Sequence, residues 1–414
     1  MAFLKPVRGT QDILPEESRL YRHVEETAFS VAERYGFGEI TTPIFEFSEV
    51  FSRTLGDTSD IITKEMYTFE DKGGDFITLR PEGTAGVARA FISNGLQQHL
   101  PLKLFYKGPM FRYERPQKGR RRQFRQVGIE ILGVATPQAD IEAISLAATF
   151  LSEIGLMENI TLELNSLGDA ASRACYRERL VGYFNGHKQK LSHNSIERLE
   201  RNPLRILDSK DEGDREIVAN APRLQDSLNA ESESFFDKLC AGLEKLGISF
   251  KHNTNLVRGL DYYCHTAFEF TTNDLGAQGT VLAGGRYDGL ISQMGGPETP
   301  GVGWAAGVER LSLLLDKSSE TKRPIVIIPT GGDADSEAIL ITEFLRKKGY
   351  RVDLGYSGNL KKRLKRANEE NAIAALLLGD DKLKRKSGIL RDMDTGDQRE
   401  VSLETLEDHL KVYK

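Results

Sequence analysis

Two strand-like segments joined by a basic loop limit the fold of this chain more than any other feature. Residues 102–114 (LKLFYKGPMFRYE) and 122–134 (RQFRQVGIEILGV) are rich in aromatic and β-branched residues, and the polar stretch ERPQKGRR connects them. Strand-like segments so close in sequence pair as an antiparallel hairpin. The front of the chain is therefore predicted to contain an antiparallel sheet.

The same hairpin concentrates positive charge, although the whole chain carries a net charge of -5. Its cations are Lys107, Arg112, Arg115, Lys118, Arg120, Arg121, Arg122 and Arg125. Guanidinium groups match phosphate oxygens two at a time, which favours a polyanion site. A solvated edge hairpin, charged to prevent aggregation, is the alternative. Because the chain as a whole is mildly acidic, any polyanion site must be local.

Alternation along the two strands places several polar side chains on one face of the sheet. Arg112, Glu114, Gln126 and Glu130 share that face with Phe124. Burying such a set without a ligand is costly. The pattern therefore favours a pocket for a polar ligand over a plain edge hairpin.

The remaining segments divide the chain into domains. A helix is predicted over 17–36 and another over 84–95, and the charged, helical stretch 169–250 is interpreted as an insertion. Strands resume over 255–272 and 279–291. The polar run 315–324 is a candidate linker. We therefore expect one domain over 1–320 and a second domain over 321–414.

The second domain shows a different periodicity. IVIIP, a helix over 333–348, RVDLGY, a helix over 359–370 and IAALLLG form a βαβαβ series. Such a series predicts a small parallel sheet covered by helices.

Two further segments carry candidate site residues. In LRPEGTAG, Glu82 and Thr84 flank a predicted helix start, where capping is one reading and capture of a ligand amine is the other. In LVRGLDYY, Arg258 lies within an apolar strand and requires an anionic partner. A structural pair with Asp261 or Glu269 would satisfy it equally well.

Glycines mark two more candidate segments. The glycine pair of AGGRYDGL allows a backbone or ligand to approach closely, although a lone pair is weak evidence. In GVGWAAGVERL, small residues precede a helix that carries Arg310. Phosphate binding and a surface salt bridge both remain open for this arginine.

The cysteines and the N-terminal sequence indicate the cellular compartment in which we expect the protein. Cys175, Cys240 and Cys264 show no CxxC spacing, which argues against a disulfide framework or zinc site and fits a reducing cytoplasm. The sequence MAFLKPVRGTQD has no apolar core of signal-peptide length, and no apolar run approaches membrane-spanning length. We expect no membrane partner.

The order of the motifs resembles one enzyme family. The helix and strand ending at Pro43, the FRYE stretch of the hairpin and the GVER stretch before the last helix resemble the three motifs of class II aminoacyl-tRNA synthetases. Within that class, RGTQD, LRPEGTAG, GPMFRYERPQKGR, LVRGLDYY and AGGRYDGL are similar to the histidyl-tRNA synthetases. The resemblance covers essentially the whole chain.

The resemblance implies an α+β catalytic domain on an antiparallel sheet with a helical insertion, and a C-terminal α/β anticodon-binding domain. It implies histidine, ATP with Mg²⁺ and histidine tRNA as substrates, a homodimer, and no resident metal. The catalytic residues implied are Arg112, Arg258 and Arg310. The ATP-binding residues implied are Arg112, Glu114, Arg120, Phe124 and Arg310. The histidine-binding residues implied are Glu82, Gly83, Thr84, Arg112, Gln126, Glu130, Arg258, Tyr262, Tyr263 and Tyr287.

Some residues depart from the family pattern. Arg121 and Arg125 replace an aromatic and a histidine, and we expect them to contact phosphates of the tRNA acceptor stem. Cys264 and His265 follow the tyrosine pair, and a catalytic role for Cys264 would require a general base that the sequence does not place there. Asp381 stands where the family has glutamate, so anticodon reading there is open.

Two other functions compete with aminoacylation. A synthetase-like regulatory subunit of ATP phosphoribosyltransferase would bind histidine, but such subunits usually lack the C-terminal domain and the ATP-binding arginines. A nucleic-acid-binding module without catalysis would have no pocket for an amino acid.

Overall fold

The computed structural model describes residues 3–54, 64–207, 209, 211–256, 262–276, 279–315 and 322–413. It divides into two compact units, residues 1–317 and 318–414.

The larger unit combines a wide sheet, a small sheet and helices. Its strands are β1 (Gly38–Glu39), β2 (Phe45–Phe47), β3 (Tyr67–Glu70), β4 (Phe76–Leu79), β5 (Leu102–Phe111), β6 (Gln123–Leu132), β7 (Thr161–Ser166), β8 (Lys251–His252), β9 (Cys264–Thr271), β10 (Thr280–Arg286) and β11 (Gly301–Gly307). Its helices are α1 (Pro15–Arg34), α2 (Glu49–Ser52), α3 (Thr84–Ser93), α4 (Pro137–Glu153), α5 (Ala170–Gly186), α6 (His193–Arg201), α7 (Glu212–Val218), α8 (Ala230–Lys245), α9 (Leu290–Gln293) and α10 (Val308–Leu314).

The wide sheet has eight strands in the order β1-β5-β6-β11-β10-β9-β7-β8. Pairing is antiparallel from β5 through to β7, while β1 and β8 join the edges in parallel. The expected hairpin is β5 and β6, in register from Leu102 opposite Leu132 to Phe111 opposite Gln123. This confirms the antiparallel sheet inferred from the hairpin.

Strand alternation separates a core face from a polar face. Val127, Ile129 and Ile131 of β6 are buried in a core shared with α1, α4 and α8. Phe124, Gln126 and Glu130 alternate with them and lie on the opposite face. The polar side chains of the hairpin are thus positioned by the same register that builds the core.

Helices replace strands between β7 and β8, as the composition of that stretch predicted. Leu239 and Leu243 of α8 are fully buried in the same core as the wide sheet. The last helix of the insertion is therefore part of the core of the larger unit.

The helical insertion begins with α5 and ends with α8, and the starts of these two helices are joined by reciprocal caps. Asp169 caps α5 by accepting from Ser172 N, and Asn229 caps α8 by accepting from Ser232 N. Asp169 N donates to Ser232 Oγ and Asn229 N donates to Ser172 Oγ, each at 3.1 Å. Asn229 Nδ2 also donates to Asp169 Oδ2 at 2.7 Å. Two helix starts distant in sequence therefore satisfy each other's orphan N–H groups.

The smaller unit is built on one sheet with helices. Its elements are β12 (Ile325–Pro329), α11 (Gly332–Lys347), β13 (Val352–Leu354), α12 (Leu360–Glu369), β14 (Ala374–Leu378), α13 (Asp380–Leu383), β15 (Ser387–Asp392), β16 (Gln398–Ser402) and α14 (Leu406–Leu410). The strand order is β13-β12-β14-β15-β16. Successive residues of β12 are buried on opposite faces, in two separate clusters.

The three strands expected to form a parallel sheet do so, and two further strands extend this sheet. β12, β13 and β14 are parallel, but β15 and β16 add an antiparallel hairpin at the edge beside β14. β16 is mostly exposed, which fits an edge strand with little apolar pattern.

Candidate functional site

A cavity of about 520 Å³ lies over the polar face of the wide sheet. Among the residues implied by the resemblance, those that line it are Glu82, Thr84, Arg112, Glu114, Arg120, Phe124, Gln126, Tyr262, Tyr263, Tyr287 and Arg310. Gly83 and Glu130 lie directly behind this lining, in contact with Tyr106 and Thr84 respectively. Arg258 lies outside the described residues.

Arg112 is held at the end of β5 in a fixed orientation. Its Nε donates to Pro81 O at 2.8 Å, and its guanidinium lies over the Phe124 ring, 5.2 Å from the centroid. Glu114 lies 3.9 Å from Arg112 and 3.0 Å from Arg120. One carboxylate therefore faces two arginines, which leaves positive charge available to a ligand.

Arg310 adds a third guanidinium from the first turn of α10. It donates to Thr280 O, and burial lowers the pKa of Arg310, with Arg120 and Arg112 adding repulsion. Cations gathered at such a cost favour an anionic ligand that relieves their repulsion.

Glu82 caps α3. Its two carboxylate oxygens accept from Thr84 N at 2.7 Å and from Ala85 N at 2.8 Å. Burial raises the pKa of Glu82, while these N–H groups oppose the rise. The capping interpretation is therefore correct, but the cap is Glu82 rather than Thr84.

Thr84 instead connects α3 to the carboxylate at the floor of the cavity. Its hydroxyl donates to Glu130 Oε1 at 2.7 Å, and the Tyr287 hydroxyl donates to Glu130 Oε2. Glu130 is fully buried, and burial raises its pKa to about 8, with nearby Glu82 adding to the effect. A carboxyl near neutrality that receives two hydroxyl donors is well suited to a polar group on a ligand.

The side-chain oxygen of Gln126 is buried and has no hydrogen-bond partner among the described residues. Buried polar groups in native proteins are almost always paired. Gln126 lines the cavity, so this oxygen is available to a ligand.

Glycines shape the pocket around Tyr106 and Glu130. A Cβ on Gly83 or Gly128 would lie within 2.4 Å of the Tyr106 ring. A Cβ on Gly303 of β11 would lie 1.8 Å from Glu130 Oε2. No side chain fits at these three positions. The sequence analysis did not predict this requirement for Gly303.

Other lining residues were missed. Glu269 and Thr280 line the cavity and bond to each other at 2.8 Å. Glu309 accepts from Arg125 N with both carboxylate oxygens at 3.0 Å. The sequence carries a signal for each of the two glutamates. Alternation along 264–271 puts Glu269 on the same face as Ala267, and Glu309 directly precedes the candidate residue Arg310.

Arg121 and Arg125, which were expected to contact tRNA phosphates, have partners within the chain. Arg121 donates to Glu17 at 2.8 Å and to Tyr21 Oη at 3.0 Å, and Arg125 binds Glu25 with two nitrogens. Both guanidinium groups are therefore occupied by α1.

Cys264 lacks the properties of a nucleophile. Its Sγ accepts from Asp288 N at 3.4 Å, and burial raises the pKa of the thiol to about 12. A thiol that stays protonated at neutral pH is unreactive.

Within the described ranges, no cluster of three or more His, Cys, Asp or Glu side chains could hold a metal ion. The helices described here include none long and apolar enough to cross a membrane.

Comparisons with known proteins agree with this geometry. The family model for histidyl-tRNA synthetase matches residues 9–311, and the model for an anticodon binding domain matches residues 324–413. A protein of Rhodospirillum rubrum named histidine–tRNA ligase is 62% identical over 411 residues, which are 99% of each chain.

Solved structures give the same result. The apo histidyl-tRNA synthetase of S. aureus is 36% identical with a TM-score of 0.82, covering 99% of this chain and 100% of that one. A Bacillus halodurans protein titled as an ATP phosphoribosyltransferase regulatory subunit/histidyl-tRNA synthetase is 24% identical, with a TM-score of 0.67, covering 92% of this chain and 99% of that one; it shares the fold. The family model and the full-length relative together show that the chain belongs to the histidyl-tRNA synthetase family.

Proposed function

We propose that this chain is a histidine–tRNA ligase. The carboxylate of histidine attacks the α-phosphorus of ATP and pyrophosphate leaves, giving histidyl-adenylate. The 3′-terminal ribose hydroxyl of histidine tRNA then attacks the acyl carbon and AMP leaves. The observation that carries the proposal is one cavity with arginines at one end and a buried, hydroxyl-bonded carboxyl at the other.

Histidine binds at the buried end. Glu82 and Thr84 receive its amino group beside Gly83, and Gln126 lies near its carboxylate. Glu130, with Tyr262, Tyr263 and Tyr287, contacts the imidazole. An apolar side chain has no group to bond the buried Glu130 carboxyl, so the site favours a polar ring over an apolar one.

ATP binds at the arginine end. Phe124 stacks on adenine, Glu114 contacts the edge of the base, and Arg120 helps to fold the triphosphate. Arg112 and Arg258 hold the α-phosphate and Arg310 the γ-phosphate. Attack by a carboxylate on a phosphate brings like charges together, so fixed cations lower the barrier.

Mg²⁺ would enter with ATP as part of the substrate and would offset the negative charge of the phosphates. Glu114 and Glu269 are among the carboxylates that line the cavity and could hold it. Two carboxylates suit an ion that keeps several waters and is held mainly by phosphate oxygens.

The smaller unit binds the anticodon stem of the tRNA. The Asn359 side chain caps the start of helix α12. The basic residues of this helix are Lys361, Lys362, Arg363, Lys365 and Arg366. Lys365 and Arg366 form exposed pairs with Glu369 and Glu370, which are weak and easily exchanged for phosphates. A basic face on a small sheet suits an RNA backbone with unstacked bases.

The enzyme is a cytoplasmic homodimer. An exposed apolar surface supports the dimer: Phe45 and Phe47 of β2 are each 59% exposed and Phe69 of β3 is 49% exposed. These strands follow Pro43, in the part of the chain that resembles the first of the three class motifs. A second copy of the same surface would cover them about a two-fold axis. A monomeric mass by light scattering at micromolar concentration would contradict this assembly.

The decisive experiment is ATP–pyrophosphate exchange with each of the twenty amino acids. Exchange should depend on histidine alone, and dependence on another amino acid would refute the assignment. The regulatory-subunit alternative predicts no exchange at all. It is disfavoured because Arg112 and Arg310 both line the cavity and the anticodon-binding unit is present.

A further inference from the structure

Two ion pairs fasten the ATP hairpin to α1. Arg125, in β6, binds the Glu25 carboxylate through Nε and through Nη2, the latter at 3.0 Å. Arg121, in the loop, donates to Glu17 at 2.8 Å. Glu17 in turn accepts from Tyr21 and from Gln11, each at 2.9 Å.

Helix α1 is a rigid support for these contacts. Val24, Ala28 and Val31 on its inner face are fully buried in the main core. Glu25 is 13% exposed, and a two-pronged arginine–carboxylate pair at this depth has fixed geometry. Each pair spans about a hundred residues of sequence, so neither is a by-product of local helix structure.

The chain neighbours of the two arginines belong to the ATP site. Arg120 precedes Arg121, and Phe124 precedes Arg125; both Arg120 and Phe124 line the cavity. Arg125 N also donates to both oxygens of Glu309, whose neighbour is Arg310. Arg125 thus contacts α1 through its side chain and the start of α10 through its backbone N–H.

We propose that Arg121 and Arg125 are positioning residues for ATP. By tying the hairpin to α1, they hold Arg120 and Phe124 where the nucleotide needs them, and they do not contact tRNA. The inference rests on the proposed function only in assigning the cavity's arginine end to ATP. When these ion pairs are broken, the hairpin is no longer fixed to α1. The affinity for ATP then falls, while the affinity for histidine is retained.

The test is a double-mutant cycle in the full-length enzyme. Arg125→Ala and Glu25→Ala should each raise KM for ATP in pyrophosphate exchange by roughly fivefold or more, and the double variant should do no worse than either single one, because they break the same link. KM for histidine and for tRNA should stay within about twofold. Arg125→Lys, which keeps the charge but loses the fork, should fall between wild type and Arg125→Ala.

The matched control is Arg34→Ala. Arg34 also joins α1 to another element by an arginine–glutamate pair, with Glu153 of α4, but its chain neighbours, unlike those of Arg125, do not line the ATP cavity. A rise in KM for ATP in the control equal to that of Arg125→Ala would overturn the proposal. So would additive effects in the cycle, or a rise in KM for tRNA without one for ATP.

A binding measurement separates this inference from the proposed function. Isothermal titration calorimetry with ATP measures ATP binding by the full-length enzyme without turnover. Weaker ATP binding by Arg125→Ala in an enzyme that shows no histidine-dependent exchange would sustain the positioning role and refute the ligase. Unchanged ATP binding in an enzyme with normal exchange would refute the positioning role alone.

Discussion

Replacing Glu130 with Gln should change how the stability of the protein depends on pH. Glu130 is fully buried, and its pKa rises from the usual 4.5 to about 8. Between those values the folded protein holds a proton that the unfolded chain has released. Stability therefore falls as pH rises through this window.

The size of the effect follows from the pKa. Each pH unit within the window removes about 1.4 kcal/mol. From 4.5 to about 8 the total is at most about 5 kcal/mol. Gln keeps the shape and does not ionise; its single oxygen accepts from one of the Thr84 and Tyr287 hydroxyls, and its NH2 group donates to the other, as a protonated carboxyl would. The variant should lack this decline, so its stability relative to wild type should increase steadily with pH.

The assay is urea unfolding followed by Trp304 fluorescence at a series of pH values from 5 to 9, in matched buffers and at one protein concentration. Taking the difference between variant and wild type cancels the other titrating groups. A difference that stays flat across the series, or that grows in the opposite direction, would refute a buried carboxyl titrating near neutrality. Loss of histidine binding by the variant at every pH would be consistent with its proposed contact to the imidazole.

Three further predictions concern other parts of the chain. Arg286→Ala should cost about 3–5 kcal/mol of unfolding free energy in urea, because it leaves the fully buried Asp140 carboxylate without its partner; replacing both residues with apolar ones should restore most of the loss. Arg258→Ala should lower pyrophosphate exchange severely while light scattering shows an unchanged mass, and a loss of only a few-fold would refute its role in charge stabilisation. A chain that ends at residue 319 should still form histidyl-adenylate but charge tRNA poorly and without regard to anticodon changes, since the described residues that line the cavity all precede residue 311; a dimeric truncated enzyme without adenylate formation would refute this division.

The sequence predicted the parts of the site that follow strand periodicity. Alternation alone placed Phe124, Gln126 and Glu130 on one face, because the same strand must present Val127 and Ile129 to the core. The hairpin pairing followed from its short connection. These inferences needed no long-range information.

What the sequence could not predict depended on partners distant along the chain. Arg121 and Arg125 were assigned to tRNA because nothing local identifies Glu17 and Glu25 as their partners. The β15–β16 hairpin was missed because its strands are short and β16 is almost entirely polar. The capping role of Glu82 depended on backbone geometry at the start of α3, which Gly83 and Thr84 only suggest.

The reciprocal caps of α5 and α8 limit the effect that the helical insertion between them has on folding. Asp169 and Asn229 hold its two ends within hydrogen-bond distance, so the chain leaves and returns at one point. The loop-closure entropy of such an excursion rises only slowly with its length, by about 0.6 kcal/mol for each doubling. Segments between these two residues can therefore lengthen or shorten over evolutionary time at little cost to the catalytic sheet, provided that the four side chains at the junction persist.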